Sequence, residues 1–284
     1  MYIISGAASN TISEDLSKIL KIPIAKTISK RFPDKEFYFR IIDDVKDKEV
    51  IIVQTTYPDP NLVELFLMQN AAEESGAKRI TVVIPYYGYA RQDTKFQDGE
   101  AISAKGIAGL ISLNADLVIT IDPHKEHILD FFSTSAKSCT AVPEIASYLK
   151  QKNIDMILAP DKGALDRARL ASEIMGCEFD YMEKTRIDGN TVEMKPKKLA
   201  AENKTVAIID DIISTGGTMA LAIKELKKHG AKKVFVACTH GLFAVDAIKK
   251  LSAAGCDEII STDTIENKYS KVKTAGCIAK LIKK

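Results

Sequence analysis

The segment from Thr205 to Gly230 constrains the fold more than any other part of the sequence. It begins with an apolar run at residues 206–209, whose length and β-branched content favour a buried strand. Small hydroxyl and glycine residues follow at 214–218, and such residues turn sharply and leave backbone amides accessible. Residues 219–228 then have apolar side chains at helical spacing and lysines in the last turn. The segment therefore predicts a strand, a tight loop and a helix in immediate succession.

The chemistry of this loop predicts a site for a phosphorylated sugar. The unpaired amides and the positive dipole end of the predicted helix suit a phosphate group. Asp210 and Asp211 lie between the apolar run and the glycines. Because a phosphate repels carboxylates, we expect this pair to face sugar hydroxyls or a metal ion. An ordinary strand-to-helix turn is the simpler alternative, and the acidic pair weighs against it.

The length and composition of the chain favour two globular domains and a small-molecule ligand. The chain has 284 residues and a net charge of +2, and its basic and acidic residues are interleaved. This pattern argues against a nucleic-acid partner. No apolar stretch approaches the ~20 residues of a membrane span, and no basic leader is present, so we expect a cytoplasmic protein with no membrane partner. The 5 scattered cysteines, without a C-x-x-C pair, favour buried reduced thiols.

An internal repeat indicates how the two domains are related. An apolar strand at 50–54, a loop with two threonines, a helix at 61–75 and a strand at 81–84 repeat the order of the 205–241 region. The first copy lacks the acidic pair and the glycine pair. We therefore expect two similar α/β domains, residues 1–141 and 142–284, of which only the second binds a sugar phosphate.

Two polar segments follow predicted strands of the first copy, where parallel sheets usually bind ligands. Residues 85–93 combine tyrosines with Arg91 and Gln92, which suit a purine nucleotide through stacking, charge pairing and hydrogen bonds to the base edge. Tyrosines packed on a neighbouring subunit are the alternative. Residues 122–127 place His124 beside a carboxylate, where histidine can bind a metal ion or a phosphate, although a core or surface histidine is the commoner case.

Three further segments carry charged residues beside a turn. Asp34–Glu36 follow a proline and present two carboxylates, or form a solvated hairpin turn. Asp161 precedes a glycine turn and the start of a predicted helix. Lys184 and Arg186 lie in the stretch 183–190, which is either a solvated hairpin or a mobile arm that can close on a polyphosphate.

Taken together and in this order, these segments resemble the ribose-phosphate pyrophosphokinase (phosphoribosyl pyrophosphate synthetase) family over nearly the whole chain. The resemblance implies an α/β fold of two type I phosphoribosyltransferase-like domains, each with a mainly parallel sheet flanked by helices. It implies that the C-terminal residues pack back on the first domain. It also implies transfer of the β,γ-diphosphate of ATP to the 1-hydroxyl of ribose 5-phosphate, with Mg²⁺ as cofactor. A homo-oligomer, either a dimer or a multiple of dimers, is the implied assembly.

The resemblance further assigns roles to individual residues. The ATP-binding residues are Asp34, Lys35, Glu36, Arg91 and Gln92. The ribose 5-phosphate-binding residues are Arg186, Asp210, Asp211, Ser214, Thr215, Gly216, Gly217 and Thr218. Lys184 and Arg186 are catalytic, and the metal site comprises His124 and Asp161. One departure from the family is Lys35, where glycine is common, so a bulky cation occupies the nucleotide turn.

Two other functions fit part of the pattern. A phosphoribosyltransferase would consume the activated sugar, but it predicts a single domain with a base-specific hood. A non-catalytic partner would keep the fold and bind a ligand without turnover. The presence of Lys184, Arg186, His124 and Asp161 weighs against this second alternative.

Overall fold

The computed structural model describes residues 1–186, 192–196 and 201–283, with the side chains of residues 183–186 and 192–196 outside this description. The chain divides into two compact units. Unit 1 comprises Met1–Thr140 and Thr274–Lys284, and unit 2 comprises Ala141–Lys273. Among the described residues, no helix has the length and apolar character needed to span a membrane.

Unit 1 is built on a five-stranded parallel sheet in the order β1-β4-β5-β6-β7. Its elements are β1 (Tyr2–Ser5), α1 (Asn10–Leu20), β2 (Thr27–Arg31), β3 (Phe37–Ile41), β4 (Glu49–Val53), α2 (Asp59–Glu74), β5 (Arg79–Ile84), α3 (Ser103–Ser112), β6 (Leu117–Ile121) and β7 (Ser135–Cys139). The last helix of the chain also belongs to unit 1. Strands β2 and β3 form a separate antiparallel hairpin. The central strands are continuous apolar runs because helices cover both faces of a parallel sheet.

Unit 2 has a seven-stranded sheet in the order β10-β9-β8-β11-β12-β13-β14, parallel except for the β9–β10 pair. Its elements are α4 (Val142–Leu149), β8 (Met156–Ala159), α5 (Leu165–Met175), β9 (Glu178–Arg186), β10 (Val192–Pro196), β11 (Thr205–Ile213), α6 (Gly217–Lys228), β12 (Lys233–Gly241), α7 (Ala247–Ala253), β13 (Glu258–Thr262) and β14 (Ser270–Val272). Helix α8 (Ala275–Ile282) follows and belongs to unit 1. The core around β11 is fully buried, with Val206, Ile208 and Ile209 at 0% exposure.

The predicted internal repeat is confirmed by the topology of the two units. In each unit the first core strand is followed by a helix, an antiparallel hairpin and then the central strand. Strand β4 and helix α2 of unit 1 thus occupy the positions of β11 and α6 of unit 2. One detail of the sequence interpretation is wrong: the strand continues through Asp210 and Asp211 to Ile213. The acidic pair therefore lies within the strand and not in the loop, because Asp210, Ile212 and Ile213 still pair with β12 on either side of Asp211.

Candidate functional site

The loop between β11 and α6 is shaped by two glycines with different constraints. Gly216 has a φ of 72°, which side chains disfavour, and a Cβ atom there would lie 3.3 Å from the Ala247 carbonyl oxygen. Gly217 begins α6, and a Cβ atom there would meet no atom within 4 Å. Thr215 is exposed, while Ser214 and Thr218 are half-buried. The first turn of α6 therefore opens onto unfilled space, where its amides can bind an anion.

The two carboxylates beside this loop differ in environment. Asp211 is buried, and its Oδ2 atom lies 3.7 Å from a terminal nitrogen of Arg167 on α5. Asp210 is half-buried and accepts a 2.9 Å hydrogen bond from the Asp211 amide. Burial raises the pKa of Asp210 to about 8, and the carboxylates of Asp211 and Asp161 add to the effect. The pair therefore provides a strong hydrogen-bond acceptor for hydroxyls and one site where a proton or a cation is favoured.

Arg167 is a residue to which the sequence analysis assigned no role. Its side chain is 20% exposed, and within the described residues its Nε atom is buried without a hydrogen-bond partner. Helix α5 brings this guanidinium to the acidic pair from the strand next to β11. No local signal in the sequence links two residues so far apart along the chain.

Asp161 lies just after β8, the neighbour of β11 in the sheet. It is the N-terminal cap of the short 3₁₀ helix Lys162–Ala164, and its Oδ1 accepts a 2.8 Å hydrogen bond from the Gly163 amide. Because parallel strands end at the same edge, Asp161 and Asp210 are brought close enough to interact electrostatically. The structure thus brings together Asp161 and the acidic pair, which the sequence analysis assigned to different ligands.

Unit 1 contains an open cavity of about 450 Å³ at the carboxyl end of β5. It is lined by Tyr86, Tyr89, Arg91, Gln92 and Phe96. Aromatic faces beside a guanidinium and an amide are suited to a flat, hydrogen-bonding ring that carries negative charge. The predicted pair of Arg91 and Gln92 therefore lines one cavity. Tyr87, from the same segment, is instead a core residue whose hydroxyl donates a 2.6 Å hydrogen bond to the Ala104 carbonyl.

Glu100 organises one wall of this cavity and was not identified from the sequence. Its Oε2 atom accepts hydrogen bonds from the Phe96 amide at 2.8 Å, the Gln97 amide at 3.1 Å and the Gln92 side-chain nitrogen at 3.2 Å. These bonds lower the pKa of Glu100, the bond from Phe96 contributing most. The carboxylate thus folds the loop back onto Gln92.

The turn between β2 and β3 presents Asp34, Lys35 and Glu36 in exposed positions. Asp34 accepts a 3.1 Å hydrogen bond from the Glu36 amide, and the Lys35 amide donates to the Phe32 carbonyl at 2.8 Å. Lys35 has a φ of 74°, a conformation that favours glycine. This geometry explains physically why a glycine would suit the position that Lys35 occupies.

His124 lies in the turn after β6, next to the β5 end that carries the cavity. The two turns are joined by a polar contact in which His127 Nε2 lies 3.2 Å from Asp93 Oδ2. His124 itself is half-buried. It belongs to unit 1 and Asp161 to unit 2. In the part of the chain that the structure describes, no cluster of three or more His, Cys, Asp or Glu side chains could hold a metal ion.

Lys184 and Arg186 lie in β9, and Arg186 is the last residue of that strand. The backbone of β9 pairs with β10, Lys184 opposite Met194 and Arg186 opposite Val192. The two strands form a hairpin at the edge of the sheet. The side chains of both residues and the rest of the predicted arm, residues 187–191, lie outside the described part.

Comparisons with known proteins agree along the whole chain. A family model of the N-terminal domain of ribose phosphate pyrophosphokinase matches residues 1–114, and the phosphoribosyl transferase domain model matches residues 136–273. The chain is 38% identical to the ribose-phosphate pyrophosphokinase of Methanothermobacter thermautotrophicus, with 99% of each chain covered. It is 42% identical to the enzyme of the same name from Sulfurisphaera tokodaii, with 96% of each covered.

A solved structure agrees with these relatives. The crystal structure of phosphoribosylpyrophosphate synthetase from Mycobacterium smegmatis matches with a TM-score of 0.86 and 28% identity, covering 99% of this chain and 97% of that one. The matched residues extend over both units. The chain therefore belongs to the ribose-phosphate pyrophosphokinase family.

Proposed function

We propose that the chain transfers the β,γ-diphosphate of ATP to the 1-hydroxyl of ribose 5-phosphate, giving phosphoribosyl pyrophosphate and AMP for nucleotide biosynthesis. The observation that carries the proposal is the juxtaposition at the end of β11. The acidic pair Asp210–Asp211 lies near the end of β11, one short loop before the start of α6. At Gly217, the first residue of α6, a Cβ atom would meet no atom within 4 Å. An anion-binding helix end beside hydroxyl acceptors matches the two ends of a phosphorylated pentose.

The sugar phosphate binds in unit 2. The amides of Gly217 and Thr218 and the hydroxyls of Ser214 and Thr215 surround the 5-phosphate, and Gly216 supplies the turn that lets them converge. The carboxylates of Asp210 and Asp211 accept hydrogen bonds from the ring hydroxyls. Because Arg167 neutralises one carboxylate, two acidic side chains can coexist beside an anionic ligand.

The nucleotide binds in unit 1, with its base in the cavity between Tyr86, Tyr89 and Phe96. Arg91 offers a planar cation and Gln92 offers an amide to the nucleotide. The exposed residues Asp34, Lys35 and Glu36 of the β2–β3 turn contribute as well. Their exposure is consistent with a homo-oligomer in which this turn contacts nucleotide bound to a neighbouring subunit.

Magnesium fits the donors that the chain presents. Burial raises the pKa of Asp210 most, the carboxylates of Asp211 and Asp161 raise it further, and a hard divalent cation prefers such grouped carboxylate oxygens. Asp161 and His124 would hold the magnesium–ATP complex. Magnesium keeps several waters and the substrate phosphates as ligands, so few protein donors are required. When bound, it neutralises charge on the transferred diphosphate.

The chain's own part in the reaction is positioning and charge stabilisation. The 1-hydroxyl attacks the β-phosphorus in line with the leaving AMP oxygen, and diphosphoryl transfer requires little covalent help from the protein. Lys184 and Arg186 stabilise the developing negative charge, and Arg186 also contacts the sugar phosphate. Their position on a hairpin at the sheet edge suits side chains that close over a bound substrate.

One incubation tests the proposal directly. The chain is mixed with magnesium, ribose 5-phosphate and ATP labelled at the β-phosphorus, and the products are separated by chromatography. We expect AMP to form only when the sugar is present, and the label to appear in phosphoribosyl pyrophosphate. Release of ADP would instead identify an ordinary kinase. A variant with Asp166→Asn, whose side chain is 93% exposed, should behave as wild type and controls for the substitutions described below.

A further inference from the structure

Two cysteines far apart in the sequence meet in unit 1. The sulfur atoms of Cys139 and Cys277 are 3.1 Å apart, although 138 positions separate them in the chain. Cys139 is the last residue of β7, the edge strand of the unit 1 sheet. Cys277 lies in the first turn of α8, the helix that packs against α1, β6 and β7. Both are thiols in this structure, and their separation exceeds a disulfide bond length of about 2.05 Å by only about 1 Å.

We propose that Cys139 and Cys277 form a reversible disulfide that fastens the C-terminal helix α8 to the edge strand β7. The bond would close a loop that contains all of unit 2, because the chain leaves unit 1 after Thr140 and returns to it at Thr274. It would thus add a covalent bond to an element that packs against α1, β6 and β7 of unit 1. The exposure of Cys139 differs from the expectation of five buried reduced thiols, since this residue is only half-buried.

The two cysteines differ in burial and therefore have different roles in disulfide formation. The oxidant is a small disulfide such as glutathione disulfide. The thiolate of Cys139, the accessible member, attacks one sulfur of glutathione disulfide and releases one glutathione thiolate. The thiolate of Cys277, buried beside it, then attacks the Cys139 sulfur and releases the second. The chain loses two protons and two electrons, and one glutathione disulfide becomes two glutathiones.

The remaining cysteines are poorer candidates for this exchange. Burial raises the pKa of Cys177, and it raises the pKa of Cys256 to about 12. Burial also raises the pKa of Cys238, which is fully enclosed in the core of unit 2. Because the thiolate is the reactive form, these residues exchange slowly. Oxidation should therefore be selective for the Cys139–Cys277 pair.

Peptide mapping tests the proposal. The purified full-length chain is incubated with glutathione disulfide, alkylated and digested with trypsin without reduction. We expect peptide 138–150 to be joined to peptide 274–280 in a chain whose intact mass remains that of a monomer, and dithiothreitol should separate the two. The variant Cys139→Ser should lose the cross-link, and the matched control Cys256→Ser should keep it.

Three results would overturn the assignment: glutathione that stays on Cys139 as a mixed disulfide, cross-links that involve other cysteines, and a chain that remains unmodified. A thermal melt tests the consequence for the helix. Closing so long a loop should raise the unfolding midpoint of the oxidised chain by roughly 5–15 °C, and the rise should be absent in Cys139→Ser. A cross-link without this rise would show that the bond does not secure α8.

Discussion

Replacing Asp210 by asparagine should stabilise the ligand-free chain at alkaline pH while weakening its affinity for ribose 5-phosphate. The carboxyl group is held in β11 between the core and two other acidic side chains, those of Asp211 and Asp161. Burial, with a smaller contribution from the neighbouring carboxylates, raises its pKa from 3.8 to about 8. An asparagine has nearly the same shape, keeps an oxygen that can accept the Asp211 amide, and carries no charge.

The sign follows from proton binding in the two states. The folded chain binds the Asp210 proton more tightly than the unfolded chain, so this stabilisation is complete below the unfolded pKa of 3.8 and is lost as the pH rises through about 8. The full difference between the folded pKa of about 8 and the unfolded pKa of 3.8 corresponds to about 6 kcal/mol, at about 1.4 kcal/mol per pH unit. Because Asp210 and Asp211 share the titration, the measurable change for the pair is smaller than this full difference.

Urea unfolding of wild type and Asp210→Asn at about pH 5 and about pH 8 tests this pH dependence of stability. The chain has no tryptophan, so circular dichroism is the signal, and hydrogen exchange of the β11 amides localises the effect to unit 2. Relative to wild type, Asp210→Asn should gain about 2–4 kcal/mol in the free energy of unfolding between the two pH values. The exposed control Asp166→Asn should show no such gain. Equal pH dependence in wild type and Asp210→Asn would refute the electrostatic argument.

Binding measurements on the same variants test the assignment of Asp210 to the ribose 5-phosphate site. If Asp210 accepts hydrogen bonds from the sugar, its amide variant loses a carboxylate acceptor and should bind ribose 5-phosphate about tenfold more weakly or worse in a calorimetric titration at about pH 9, where this carboxyl group is ionised in the free chain. Asp166→Asn should bind as wild type does. Equal affinity in Asp210→Asn and wild type would count against the contact, whatever the stability result.

Three further predictions concern other parts of the site. Lys184→Ala should lower turnover by about a hundredfold to a thousandfold, as removal of one preorganised donor does, and unchanged turnover in a rate assay would show that its role is misassigned. Glu100→Gln should raise the KM for ATP about tenfold with a smaller change in kcat, because the loop that holds Gln92 loses its charged acceptor, whereas Asp98→Asn in the same loop should not. Lys35→Gly should stabilise unit 1 by about 0.5–1 kcal/mol in urea unfolding, since relief of the left-handed φ exceeds the entropy cost of glycine; a destabilised variant would contradict this.

The β11–α6 loop could be predicted from sequence because its determinants are local. The residues that form the strand end, the glycine turn and the helix start lie within a few positions of one another. The residue types from Ser214 to Thr218 were therefore sufficient to predict the turn. The end of the strand was harder to place. Two carboxylates argue against a strand by propensity, and only the pairing of Asp210, Ile212 and Ile213 with β12 keeps this stretch in the sheet.

The residues that the sequence analysis missed share one property: their partners are distant or lie in irregular loops. Arg167 meets Asp211 only because α5 packs beside β11, and 44 positions separate them in the chain. Glu100 acts through backbone amides of a loop whose shape no periodicity encodes. The Cys139–Cys277 contact depends on the return of α8 to unit 1. Local pattern carries no information about such pairings.

The repeat itself explains why only one of two similar units has a loop that suits a phosphate. In unit 1 the corresponding loop after β4 uses its polar groups internally. The Thr55 amide donates to Ser9 Oγ at 3.0 Å, the Thr56 amide to the Tyr86 carbonyl at 3.2 Å, and Thr56 Oγ1 accepts from the Gly88 amide at 2.7 Å. A phosphate there would have to displace these buried bonds, each costly to leave unmade. The same bonds anchor the turn after β5, which lines the aromatic cavity. One copy therefore keeps an open helix end for an anion, while the other uses that loop to support a neighbouring site of different chemistry.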